Sequence, residues 1–134
     1  MSEAKEVLLL PAPREIEWEG DGFQGSAPEV SFRLAPELPA QGFELRVAAS
    51  GVEIRHADAE GQRYAEATLE QLKRQFPDAL PGLQIRDWPD FPVRGFMLDV
   101  SRDRVPTRET LDRLVRLLAL LRINHFELYT EHTF

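Results

Sequence analysis

An apolar strand, a helix and a second apolar strand follow one another between residues 96 and 130, and this succession constrains the fold more than any other feature. Phe96 to Val100 and Phe126 to Thr130 are short apolar runs, and Thr107 to Arg122 places leucines at helical spacing. Strands joined through a helix are parallel, and parallel sheets are almost always covered on both faces. One such unit cannot cover both of its own faces. We therefore expect the chain to be cut short inside a larger domain.

The predicted second helix has a clear start and a wide apolar face. Thr107 is a suitable N-cap, and Glu109 places a negative charge in the first turn, where the helix dipole favours it. The apolar face consists of Leu111, Leu114, Val115, Leu117, Leu118, Leu120 and Leu121. Such a wide face predicts neighbours on more than one side of the helix.

The first ninety residues show a different pattern, typical of a small α+β domain. A helix is predicted from Glu60 to Phe76, because apolar residues recur there every three to four positions and Pro77 follows. Short or alternating apolar runs predict strands at Glu6 to Leu10, Val30 to Leu34, Phe43 to Val47, Val52 to His56 and Leu83 to Ile85. Trp88 to Pro92 is a proline-stiffened connection. The sequence thus predicts two parts, residues 1–90 and residues 91–134.

Composition excludes several classes of protein. The 134 residues contain no cysteine, which excludes a disulfide framework and thiolate chemistry. The net charge of −7, from 16 basic and 23 acidic residues, argues against nucleic acid or an anionic membrane as partner. No apolar run approaches the roughly 18 residues of a membrane span, and MSEAKEV does not begin a signal peptide. We expect a soluble, cytoplasmic protein.

The first apolar strand carries charged residues at its carboxyl end. Side chains alternate on a strand, so Met97, Asp99 and Ser101 share the face opposite to Phe96. Arg102 and Glu131 follow the ends of the two strands, which is where a β/α barrel has its active site. An alternative interpretation of the same spacing is a buried Asp99–Arg102 pair that only organises the domain.

The segments DWPDFPVRGFMLDVSR and PTRETLDRLVRLLALLRINHFELY closely resemble the start of the catalytic barrel of glycoside hydrolase family 20, the β-N-acetylhexosaminidases. That family's pattern runs Trp-Pro, Phe-Pro, Arg-Gly, a strand ending Asp-x-x-Arg, a helix and an Asn-x-Phe strand. Upstream, YAEATLEQLKRQFP and LQIRDWP resemble the last helix and strand of the family's zincin-like domain. The matching positions are Trp88, Pro89, Phe91, Pro92, Arg94, Gly95, Asp99, Arg102, Asn124 and Phe126.

The resemblance implies an α+β fold: a zincin-like domain at residues 1–90, similar to hexosaminidase domain 2, and an incomplete first β-α-β segment of a (β/α)8 TIM barrel at residues 91–134. It implies a glycosidase that removes terminal N-acetylhexosamine without a cofactor, with the 2-acetamido oxygen as nucleophile and an Asp-Glu pair assisting. No Asp-Glu dipeptide occurs in the chain. We therefore expect no catalytic residue here and no activity from these residues alone. The position of Arg102 implies sugar binding in the −1 subsite.

The second strand departs from the family pattern. Many members read His-Trp-His-Leu-Thr-Asp-Asp, whereas residues 127–133 read Glu-Leu-Tyr-Thr-Glu-His-Thr. Glu131 or His132 could still reach a sugar hydroxyl from the strand end, and Asp99 is a further candidate for substrate binding. His56, His125 and His132 lack the spacing of a metal site, so no metal is expected. The natural substrate is left open.

Other interpretations of the same residues stay open or are disfavoured. The chain could be a non-catalytic structural or interaction module, a hypothesis that the sequence alone leaves open. Trp88 could stack on a sugar ring, but between prolines we expect it to pack within the protein. Ser101 beside Asp99 is not a catalytic dyad, because no partnered histidine is indicated.

Exposed strands predict self-association. The two strands of the second part would leave Phe96, Leu98, Phe126 and Leu128 without cover, and open strands invite pairing with another chain. We therefore expect association in solution, or the second part repacked on the first. Light scattering tests this, and a monodisperse monomer with an exposed carboxyl-terminal segment would contradict it.

Overall fold

The computed structural model describes residues 7–102 and 104–131. The chain divides into two compact units, Met1–Asp90 and Phe91–Phe134. Neither unit contains a closed barrel among these residues. Each unit is described by itself below.

Unit 1 is a five-stranded sheet covered on one face by a helix. In chain order its elements are β1 (Glu15–Trp18), β2 (Phe23–Gln24), β3 (Val30–Leu34), β4 (Phe43–Ala48), β5 (Gly51–His56), α1 (Ala59–Gln75), β6 (Ala79–Leu80) and β7 (Leu83–Asp87). The sheet order is β1-β7-β4-β5-β3, and β2 pairs separately with β6. All neighbours are antiparallel except β3 and β5, which are parallel.

Helix α1 is fixed to the sheet by its apolar face and its amino end. The Asp58 side chain caps the helix by accepting from the Gly61 N–H at 2.8 Å. A Cβ atom at Gly61 would lie 2.3 Å from the carbonyl oxygen of Gly42, so the first turn packs directly on main chain. The core between helix and sheet includes Phe43, Leu45, Val47, Val52, Ile54, Tyr64, Ala65, Leu69, Leu72, Leu83 and Ile85.

The opposite face of the sheet is polar, as the alternation of the predicted hairpin indicates. Arg86 of β7 lies opposite both Glu15 of β1 and Glu44 of β4, and its Nε donates to Glu44 at 2.9 Å. Glu44 also accepts from Arg55 of β5. Cross-strand pairs of opposite charge stabilise a sheet by a few tenths of a kcal/mol to about 1 kcal/mol each.

The strand predicted from Glu6 to Leu10 is wrong for residues 7–10, and Glu6 lies outside the described residues. The main chain there pairs with glutamine side chains of α1 instead of a strand. Gln75 exchanges hydrogen bonds with Leu8 at 2.9 and 2.6 Å, and Gln71 does the same with Leu10 at 2.9 and 2.8 Å. Each primary amide supplies the donor and acceptor that a neighbouring strand would supply.

Unit 2 is the predicted strand, helix and strand. β8 (Gly95–Asp99) and β9 (His125–Tyr129) are parallel, joined through α2 (Arg108–Leu120). Phe96 pairs with Phe126, their rings stacked with centroids 6.1 Å apart, while Asp99 pairs with Tyr129. This register confirms the predicted separation of polar and apolar strand faces. Thr107 is the N-cap of α2, accepting from the Thr110 N–H at 3.2 Å.

Leucine-to-alanine changes in two strands of one sheet test where the stability of unit 1 resides. Leu45 is fully buried and Leu34 is 62% exposed. Leu45→Ala should lower the free energy of unfolding by about 2–5 kcal/mol because it leaves a cavity, whereas Leu34→Ala should change it by about 0.5 kcal/mol or less. Tryptophan fluorescence in urea reports this unit, since Trp18 and Trp88 both belong to it. Equal losses in the two variants would contradict this placement of the core.

Candidate functional site

The predicted site residues lie where β8 and β9 end. The parallel register continues past the strands, because the Val100 N–H donates to the Tyr129 carbonyl at 3.0 Å. Ser101 and Arg102 therefore leave the sheet at the same edge as Glu131. The structure brings together all three candidate residues for sugar binding, Asp99, Arg102 and Glu131.

Arg102 and Glu131 form an ion pair across the two strand ends. The Arg102 Nε donates to the Glu131 Oε2 at 2.7 Å, and Nη2 contacts the same oxygen. The Arg102 side chain is 64% exposed and that of Glu131 35% exposed. Among the described residues, the Arg102 Nη1 and the Glu131 Oε1 have no hydrogen-bond partner. The pair thus leaves one donor group of Arg102 and one acceptor oxygen of Glu131 unpaired within the described residues.

Asp99 lies behind this pair and is held by Ser101. Its Oδ1 accepts from the Ser101 N–H at 2.8 Å and from the Ser101 Oγ at 2.7 Å, while its Oδ2 lies 3.6 Å from the Arg102 Nε. The Ser101 N–H, then the Ser101 hydroxyl, and more weakly the Arg102 charge lower the pKa of Asp99 below its ordinary value. The Asp99 side chain is 30% exposed. Within the described residues, the Asp99–Arg102 pair is therefore at the surface and not buried.

Ser101 is the residue that sequence reasoning missed. Its Oγ donates to Asp99 and also accepts from the Glu131 N–H at 2.9 Å. It thereby joins the ends of both strands. The Asp-x-Ser spacing was the available signal, because aspartate commonly accepts hydrogen bonds from the main chain two residues on.

Two other motif residues hold the opposite end of the strand pair. The Arg94 guanidinium donates to the Arg122 carbonyl at 2.9 Å and to the Phe91 carbonyl at 2.7 Å. The Asn124 side chain accepts from the Arg94 N–H and donates to the Pro92 carbonyl, both at 2.8 Å. Arg94 and Asn124 therefore fix where β8 and β9 begin. This structural role explains why both residues occur in the motif.

Trp88 has a structural partner within unit 1. The Arg14 guanidinium lies over its ring, 4.7 Å from the centroid, and the Arg14 Nε donates to the Trp88 carbonyl at 2.8 Å. A cation over an indole face is a favourable contact. One face of this ring is therefore occupied by protein.

The described residues show no grouping of three histidine, cysteine, aspartate or glutamate side chains that could hold a metal ion. His56 instead places its Nδ1 3.0 Å from the Asp58 carbonyl, next to the cap of α1. His132 lies outside the described residues. Among the described helices, none combines the length and hydropathy needed to cross a bilayer.

The arrangement suits binding of neutral polar groups. A guanidinium offers donors in a fixed planar fork, and a neighbouring carboxylate accepts from hydroxyl groups. The Arg102 Nη1 could therefore donate to a hydroxyl group, and the Glu131 Oε1 could accept from one. Such a surface favours a ligand rich in hydroxyl groups.

Removing the Ser101 hydroxyl should raise the pKa of Asp99 part of the way to its ordinary value of 3.8. The rise is partial because the Ser101 N–H, the larger cause, remains. Since the pKa in the folded state is lowered, the stability that these contacts contribute is present above the ordinary value and is lost as pH falls through the folded value. A ¹³C NMR titration of Ser101→Ala measures the shift, with Ser101→Thr as the control that keeps a hydroxyl. An unchanged pKa in Ser101→Ala would contradict the assignment.

Comparison with known proteins supplies the family. Residues 11–88 match the model for glycosyl hydrolase family 20, domain 2. A beta-hexosaminidase of Porphyromonas gingivalis is 33% identical over 116 residues, which cover 80% of this chain and 15% of that protein. A beta-hexosaminidase of Akkermansia muciniphila is 32% identical over 103 residues, covering 75% of this chain and 21% of that protein. The chain therefore spans a small part of either relative.

Solved structures of similar enzymes also match this chain. A glycoside hydrolase family 20 beta-N-acetylglucosaminidase matches with a TM-score of 0.80 and 28% identity, over 92% of this chain and 29% of that one. The exo beta-N-acetylglucosaminidase of Vibrio harveyi in complex with N-acetylglucosamine gives a TM-score of 0.80 and 26% identity, over 90% and 25% respectively. Since the family model alone spans more than half of its residues, the chain belongs to glycosyl hydrolase family 20.

Proposed function

We propose that this chain is the amino-terminal part of a β-N-acetylhexosaminidase that removes terminal N-acetylhexosamine from carbohydrates. Membership of glycosyl hydrolase family 20 supports the reaction class. The named relatives are hexosaminidases, and the similar Vibrio harveyi enzyme was solved with N-acetylglucosamine bound. The substrate class of the proposal follows from those names.

The observation that carries the binding role is the exposed Arg102–Glu131 pair at the ends of two parallel strands. In a β/α barrel, loops at the carboxyl ends of the strands form the active site. Arg102 would donate from Nη1 to hydroxyls of the terminal sugar, and Glu131 would accept from a neighbouring hydroxyl through Oε1. The Asp99 Oδ1 is already occupied by Ser101, so we assign Asp99 to holding Arg102.

The proposed mechanism is substrate-assisted hydrolysis. The 2-acetamido oxygen attacks the anomeric carbon, one carboxylate orients the acetamido group, and an adjacent glutamate protonates the leaving oxygen. The sequence contains no Asp-Glu dipeptide. We therefore propose that the two carboxylates come from outside these 134 residues, which are inactive by themselves, and that Arg102 contributes binding and orientation.

Arg102→Ala in the complete gene product should reduce kcat/KM on an aryl N-acetylhexosaminide by roughly tenfold to 150-fold. This range corresponds to the loss of a charge-assisted hydrogen bond of about 1.5–3 kcal/mol. Steady-state kinetics measure the loss, and thermal unfolding of the same variant shows whether the fold is kept.

Arg113→Ala is the matched control, because Arg113 is an exposed arginine of α2 in the same unit. It should leave kcat/KM unchanged within about twofold, as expected for an exposed helix residue that is not among the candidate site residues. An unaltered kcat/KM in Arg102→Ala would remove Arg102 from the site. A complete gene product that hydrolyses no N-acetylhexosaminide would favour the non-catalytic module.

A further inference from the structure

The Ser101 hydroxyl forms hydrogen bonds both to Asp99 at the end of β8 and to the main chain of Glu131 after β9. We infer that Ser101 is a positioning residue, which sets the geometry of the Arg102–Glu131 pair without touching the sugar. The inference rests on the proposed function for its kinetic consequence. The part of the inference that concerns the structure rests on hydrogen bonds alone.

The hydroxyl of Ser101 is used in both directions. It donates to the Asp99 Oδ1 at 2.7 Å and accepts from the Glu131 N–H at 2.9 Å. A serine hydroxyl has one donor and two acceptor sites, so both contacts are available at once. The first contact holds Asp99 3.6 Å from the Arg102 Nε, and the second fixes the main chain of Glu131. The contacts close a ring through Asp99, Ser101, Glu131 and Arg102.

The ring lies outside the parts of unit 2 that hold the fold together. The β8–β9 register is kept by its own ladder and by the bond from the Val100 N–H to the Tyr129 carbonyl. Arg94 and Asn124 fix the opposite end of the strands. Loss of the Ser101 Oγ should therefore leave the sheet intact and change only the placement of Arg102 and Glu131.

If Ser101 only stabilised its own turn, Ser101→Ala would leave the Arg102–Glu131 pair unchanged. The Ser101 N–H bonds to Asp99 whatever the side chain, so the turn itself survives in Ser101→Ala. What disappears is the bridge to the second strand. Arg102 and Glu131 are exposed long side chains, which lose much rotamer freedom when held in one geometry. Without the bridge, Arg102 and Glu131 lose this rotamer freedom only when the ligand binds.

A double-mutant cycle in the complete gene product tests the inference. Ser101→Ala should lower kcat/KM on an aryl N-acetylhexosaminide about fivefold to fiftyfold, as loss of a hydrogen bond that acts through an ion pair would. Made in the Arg102→Ala background, it should lower kcat/KM by a clearly smaller factor than in the natural sequence, because only Glu131 remains of the two groups that Ser101 positions. Ser101→Thr keeps the hydroxyl and should recover most of the loss.

Independent, multiplicative losses in the cycle would overturn the inference, as would no loss from Ser101→Ala alone. NMR of the 134-residue chain supplies a readout that does not need activity. The Arg102 Nε–H signal, assigned by its absence in Arg102→Ala, should be resolved in the natural sequence and in Ser101→Thr, and should broaden or merge with free arginines in Ser101→Ala. An unmoved signal overturns the inference. Lack of hydrolysis by the unsubstituted gene product would reject the proposed function, and the NMR result would then decide the inference.

Discussion

Parallel pairing of β8 with β9 is the constraint on which the candidate site depends. Parallel strands bring their carboxyl ends to one edge of the sheet, so residues nearly thirty positions apart in the chain, Arg102 and Glu131, become neighbours. The helix between them fixes the direction of the second strand. In an antiparallel arrangement Glu131 would lie beside the start of β8. The ion pair is therefore a consequence of strand direction before it is a consequence of charge.

The motif residues of unit 2 divide into two groups with different tasks. Arg94 and Asn124 bond to main-chain groups at the starts of the strands, where they stabilise the fold. Asp99 and Arg102 lie at the ends, where polar atoms remain available to solvent. A β/α barrel separates stability and chemistry in this way, with function at the carboxyl ends. A residue's position along the strand thus indicates its task better than its residue type does.

Most elements could be predicted because their patterns are local. The parallel pair, both helices and the β4–β5 hairpin follow from periodicity, and Thr107 was identified as a cap. What could not be predicted depended on distant partners. The Gln75 and Gln71 amides that bind Leu8 and Leu10 lie more than sixty positions away in the chain. Residues 7–10 therefore have the apolar pattern of a strand, although they do not form one. Strand β1 was missed because it is an edge strand of only four residues, two of them acidic, of which Ile16 packs on the core. The bridge made by Ser101 likewise requires Glu131, which periodicity does not connect to it.

The ion pair at the ends of β8 and β9 contributes little to the stability of the fold. Exposed ion pairs contribute roughly 0–1 kcal/mol to stability, because each side chain loses conformational entropy and water screens the attraction. With Arg102 64% exposed, its pair with Glu131 lies in this range and cannot account for the placement of charges beside an apolar strand. For the proposed binding site, such a weakly stabilising pair is an advantage. Side chains that are already paired at a surface lose less conformational freedom when a ligand binds, which is consistent with the proposed role of this pair.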